Sequence, residues 1–173
     1  TKIEWVFDSA FRFFPIEPDP EMGWRLNFWD AAVNKVLAFA GRSEIRDFVD
    51  VLHLHQAHIH LAALAWAGTG KDPGLSPEAI IRWGGRQAVY RPEDLTDLKL
   101  NRPVTLPELK ESWLLASTAA VELIGKLPLE EVGCLYLDGT GQPVCPNPVS
   151  PDFAKLTRHY GSVKGAWPRV MES

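Results

Sequence analysis

The pattern of hydrophobic and polar positions changes period along the chain. At the start, Ile3, Trp5 and Phe7 alternate with Lys2, Glu4 and Val6, a period of two that predicts a strand over 2–7. A proline-rich loop at 15–20 follows, and Arg25 to Phe28 reads as a second short strand. From residue 30 the spacing becomes helical. Asp30 is placed to cap a helix over Ala31 to Ala40 that Gly41 stops. A second helix is predicted from Glu44 to Gln56 and a third from His58 to Gly68, with a turn at 68–74. Ser76-Pro77-Glu78 is a helix start, and another short helix begins at Pro92. The longest helix runs from Pro107 to Gly125, with Leu109, Trp113, Leu114, Ala116 and Ala120 as its apolar stripe. Cys134 to Cys145 has the form of a hairpin turning at 138–141, and Ser150-Pro151-Asp152 opens a last short helix ending near Gly161. A few strands and then mostly helices make the fold class α+β.

Composition narrows the classes. The chain has 173 residues, 46% hydrophobic and 23% charged, as in a globular domain. A net charge of -4 excludes a global field that would recruit nucleic acid. The longest apolar stretch, around 59–67, is too short to span a bilayer, so no membrane partner is expected. Two cysteines are too few for a disulfide scaffold, which makes a reducing cytoplasm the expected location. The strand-like run begins at residue 2 without a lead-in, and this predicts a further segment upstream of Thr1.

The chemistry concentrates in 34–50. On a helical wheel Lys35 has Ala31, Ala32 and Ala38 about it, small neighbours that leave its ammonium free to reach a ligand. On the next helix Arg46, Asp47 and Asp50 share one face, and Phe48, Leu52 and His55 lie opposite. Lysine suits triphosphate oxygens, while carboxylates suit Mg²⁺ or the deprotonation of a hydroxyl. An ordinary exposed face with an Arg46–Asp50 pair, spaced i, i+4, accounts for the same residues.

The stretch from Asp30 to His55, "DAAVNKVLAFAGRSEIRDFVDVLHLH", resembles the lysine helix and Arg-Asp-x-x-Asp helix of the AbiEii/AbiGii-type nucleotidyltransferase-like toxins. The preceding strand and "AWAGTGKDPGLSPEAIIRW" are similar to the same group. The resemblance implies a polymerase-β-like core ending near residue 56, followed over 57–173 by a helical domain with a small hairpin near 134–145. It implies nucleotide transfer from a nucleoside triphosphate to an RNA (tRNA-like) or protein acceptor, in a toxin–antitoxin or abortive-infection system with an antitoxin as partner. Lys35 and Asp50 are then the catalytic residues, Lys35, Arg46 and Asp47 bind the nucleotide, and His53, Glu4 and Asp8 line the site. The family's Gly-Ser motif and metal-binding aspartates have no match in this sequence. Mg²⁺ is therefore expected to need upstream carboxylates, and this chain alone is expected to be inactive and to self-associate through an open sheet edge. The alternative is a non-catalytic protein-interaction module on a degenerate nucleotidyltransferase fold.

Other residues carry weaker signals. His53, His55, His58 and His60 crowd together, but none of these pairs has the i, i+4 spacing of a metal-binding helix. His55, on the apolar side, is expected in the core. Cys134 and Cys145 lie opposite one another only in an ideal hairpin, and reduced thiols are expected. Most of the seven tryptophans are expected to be core. Arg82, Arg86 and Arg91, near Trp83 and Tyr90, either guide an acidic acceptor or form a solvated face.

Overall fold

A computed structural model describes residues 10–100 and 102–162. The expected strand at 2–7, with Glu4 and Asp8, lies outside the described residues. The first element described is a small antiparallel hairpin, β1 (Glu17–Asp19) and β2 (Gly23–Arg25). The Asp19 carboxylate accepts from the N–H groups of Glu21 and Met22 at 3.0 and 2.9 Å, and Gly23 supplies the positive φ (80°) that closes the turn. The strand expected at 25–28 is thus displaced, because Phe28 already belongs to a helix.

Five helices follow: α1 (Phe28–Gly41), α2 (Ile45–Ala57), α3 (Leu61–Lys71), α4 (Pro77–Gln87) and α5 (Leu106–Ile124). Asn27, not Asp30, caps α1, its side chain accepting from Trp29 N–H at 2.9 Å. Asp30 sits one turn inside and is fully buried. Ser76 caps α4 as expected, and Thr105 with Glu108 forms a reciprocal capping box on α5. Helix α3 extends through Lys71, so the turn expected from residue 68 begins only after it. Residues 92–95 form a 3₁₀ turn.

The C-terminal part departs further from expectation. Strand β3 (Cys134–Leu137) pairs antiparallel with β4 (Thr157–Tyr160), not with the 141–145 segment. The tight turn at 138–141 exists, and it returns the chain through a single Leu137–Pro143 bridge, with the Val144 N–H donating to the Tyr136 carbonyl and the Asp138 N–H to the Gln142 carbonyl, both at 2.9 Å. Pro143, Pro146 and Pro148 lack the N–H groups that would extend this pairing into a ladder. The helix expected over 150–161 is a 3₁₀ turn at Pro151–Lys155 that gives way to β4.

Helix α3 is the hub. It is apolar on all sides, and Leu61 to Gly68 are all buried among α1, α4, α5 and β3. Trp66 is fully buried and donates its indole N–H to the Glu131 carbonyl at 2.9 Å. The approach of α3 to β3 depends on two glycines, because a Cβ on Gly70 would lie 2.3 Å from the Gly133 carbonyl oxygen. One hydrophobic cluster runs from Phe13 through α1–α5 to Leu137, crossing residues 56–57 without interruption. On α5, Leu109, Ala116 and Ala120 face this cluster, but Leu114 is 65% exposed and leaves the expected stripe. Trp24 and Trp83 are likewise exposed. No helix among the described residues is long and apolar enough to cross a membrane.

Candidate functional site

A three-residue link, Arg42 to Glu44, joins α1 to α2 and lays the two helices against one another. Lys35 on α1 thereby meets Asp47 and Asp50, which are i, i+3 on α2 and so share its face. The Lys35 ammonium lies 2.9 Å from Asp47 Oδ1 and 3.0 Å from Asp50 Oδ2. The other oxygen of Asp47 accepts from Arg42 Nε at 2.8 Å. The order is therefore Arg42, Asp47, Lys35, Asp50: two cations alternating with two carboxylates.

Burial differs along this row and sets what each group can do. The Asp47 side chain is wholly buried, Lys35 is 27% exposed, and Asp50 is 44% exposed. Burial works against the charge on Lys35, but the hydrogen bonds it donates to Asp47 and Asp50 outweigh it and hold the ammonium above the ordinary lysine value. Burial likewise acts to raise Asp47, and Arg42 and Lys35 overcome it, leaving the carboxyl below its usual range. Both groups are firmly ionised at neutral pH. The ammonium expected to be free is instead held by two carboxylates.

The remaining residues separate. Arg46 forms no pair with Asp50, which is taken by Lys35. It points to a second, shallower cleft with Ser43, Tyr90 and Asp97. His53 and Asp50 line a larger cleft of about 640 Å³ between α2, α5 and Lys99, Leu100, Arg102, Pro103 and Val104. His55 is a structural histidine, its Nδ1 accepting from Leu61 N–H at 3.1 Å. Burial lowers its pKa, and burial followed by the His55 charge lowers that of His60, which caps α3. Among the described residues no three His, Cys, Asp or Glu side chains are grouped to hold a metal ion. Cys134 and Cys145 are both free thiols. Arg82, Arg86 and Arg91 are exposed.

Three features escaped the sequence reading. Arg42 was hidden as the residue after a helix-stopping glycine. Lys99 and Arg102, on the wall of the larger cleft, sit in "DLKLNRP", whose charges have no periodic context. The third is a buried ion pair, with Lys71 Nζ 2.7 Å from Asp30 Oδ1 and both side chains at least 95% buried. The same carboxylate accepts from Phe13 and Phe14 N–H at 3.0 and 2.9 Å, pinning the N-terminal segment to α1 and α3. Its only signal was a lysine ending an apolar helix.

Comparison with protein families, with characterised proteins and with solved structures finds no match to this chain. The functional reading therefore stands on the residues themselves.

Proposed function

We propose that this chain is the C-terminal portion of a nucleotidyltransferase-like protein of the AbiEii/AbiGii type, a toxin that transfers a nucleotide from a nucleoside triphosphate to an RNA or protein acceptor. The observation that carries the reading is the contact of Lys35 with Asp47 and Asp50 across the α1–α2 pair. Asp47 and Asp50, twelve and fifteen residues beyond Lys35, converge on one ammonium. Buried Asp47, fixed by Arg42, holds Lys35 in place. Lys35 contributes charge to a phosphate, and Asp50, the more exposed of the two carboxylates, accepts a proton from a hydroxyl once its contact with Lys35 is exchanged for the substrate. The described residues do not fit Mg²⁺, since both carboxylates are already neutralised by cations.

The test uses the full-length protein. Wild type, Lys35→Ala and Asp50→Ala are incubated with each labelled nucleoside triphosphate, Mg²⁺ and total RNA or protein. The expected result is labelling by wild type and a loss of 100-fold or more in both variants. Asp50→Ala should unfold within about 1 kcal/mol of wild type, because its side chain is partly exposed. Wild-type transfer by a folded Asp50→Ala protein overturns the assignment, as does absence of transfer from every triphosphate. A second reading, a protein-interaction module, is favoured by exposed Leu114, Leu115 and Val121 along α5.

A further inference from the structure

The larger cleft has a composition that nucleotide transfer does not explain. Its apolar lining includes Leu52 of α2, Val104 just before α5, and Leu109 in the first turn of α5. Its volume of about 640 Å³ falls in the range of small-molecule sites. Four charged side chains line it: Asp50, Glu108, Lys99 and Arg102. The acids and the bases are not equivalent.

Both carboxylates are committed. Asp50 is paired with Lys35 at 3.0 Å. Glu108 Oε2 accepts from the Thr105 N–H and hydroxyl, both at 2.8 Å. Those bonds chiefly hold its carboxyl below the usual range, with a smaller contribution from the charge of Arg102. The cations are not committed in this way. Neither Lys99 nor Arg102 forms an ion pair among the described residues. An apolar lining with two cations that form no ion pair among the described residues is complementary to an apolar body carrying a compact dianion. Arginine supplies a planar fork and lysine a point charge, the pairing commonly found around phosphate. His53 and Ser112, also on the lining, add hydrogen-bonding groups at the rim.

We propose that the cleft between α2 and α5 binds a small aromatic phosphate monoester, its ring on the Leu52, Val104 and Leu109 lining and its phosphate between Lys99 and Arg102. Asp50 of the Lys35 row borders the same cleft, but the residues of this grip, Leu52, Lys99, Arg102, Val104 and Leu109, lie outside that row, so the binding proposed here does not need nucleotide transfer. The occupant is either a nucleoside monophosphate or a non-nucleoside aryl phosphate, which share this chemistry.

The test is titration of the ¹⁵N-labelled 173-residue chain, followed by amide shifts, with 1-naphthyl phosphate, 1-naphthol and adenosine monophosphate. Naphthyl phosphate should saturate below about 1 mM and shift His53, Val104 and Leu109, with naphthol at least tenfold weaker. The double variant Lys99→Gln, Arg102→Gln changes two exposed side chains and should keep the wild-type spectrum elsewhere. It should weaken naphthyl phosphate tenfold or more and leave naphthol unchanged. Tighter binding of adenosine monophosphate assigns the site to nucleotides, and tighter naphthyl phosphate to non-nucleoside ligands. Equal affinity for naphthol and its phosphate, an unchanged affinity in the double variant, shifts centred elsewhere, or no saturable binding by either phosphate overturns the proposal.

Discussion

Replacing Asp47 with Asn tests whether the row of charges holds α1 to α2. Asp47 is completely buried and uses one oxygen for Lys35 and the other for Arg42. Breaking one partner of a fully buried ion pair costs about 3–5 kcal/mol, because a charge is left without compensation in the interior. Here the stranded partners are not deep: Lys35 is 27% exposed and Arg42 53%, so both can regain water. Asn also retains one acceptor. These two effects bring the expected loss down to about 2 kcal/mol at pH 7, or roughly 4–8 °C in Tm for a chain of this length. The pH dependence is specific. The folded Asp47 carboxyl titrates below its unfolded value, so its contribution is present above about pH 4 and is lost as pH falls through the folded pKa. The difference between wild type and Asp47→Asn should therefore shrink as both are taken from pH 7 to pH 3. Urea unfolding followed by tryptophan fluorescence at pH 7, 5, 4 and 3 measures it. A difference under about 0.5 kcal/mol at pH 7, or one of equal size at pH 7 and pH 3, would refute the reasoning.

Lys71→Met removes the cation from a pair buried on both sides and should cost about 3–5 kcal/mol, read as a loss in calorimetric stability; a change under about 1 kcal/mol would show that Asp30 is satisfied by the Phe13 and Phe14 amides alone. Gly70→Ala forces a Cβ against the Gly133 carbonyl and should destabilise by about 1–3 kcal/mol, whereas Gly139→Ala meets nothing within 4 Å and should be near neutral; equal urea midpoints for the two would contradict the α3–β3 contact. Burial pushes the Cys134 thiol up to about 11, so it should stay unmodified by a thiol-specific aromatic disulfide at pH 8 until denaturant is added, and prompt native-state labelling of Cys134 would count against its burial.

What the sequence revealed depended on how local the cause was. The α1–α5 order was legible because caps and apolar periodicity act within a few residues: Ser76 with Pro77, and the stripe of Leu109, Ala116 and Ala120, announce themselves. Asp30 misled for the same reason. An aspartate beside an apolar run looks like a cap, but its partners, Lys71 and the Phe13 and Phe14 amides, lie 41, 17 and 16 residues away, and nothing local encodes such a pairing. The pairing of β3 was lost to the same limit. A tight turn at 138–141 predicts a local hairpin, yet prolines keep the return pairing to one bridge and the ladder is completed from 157–160.

In the candidate site, the wheel placed Asp47 and Asp50 on one face and Lys35 among alanines, and both statements hold. The inference drawn from them about Lys35 fails on a quantity the wheel does not contain. Small neighbours do leave room around an ammonium, but that room is filled by whatever the next helix presents, and a three-residue link makes α2 that helix. Arg42 then decides which carboxylate is the anchor: by engaging Asp47 it fixes the buried one and leaves Asp50 as the exchangeable contact. A lysine held by one fixed and one exposed carboxylate stays charged and aimed without being sealed off, so any anion that reaches it must displace Asp50 before Asp47.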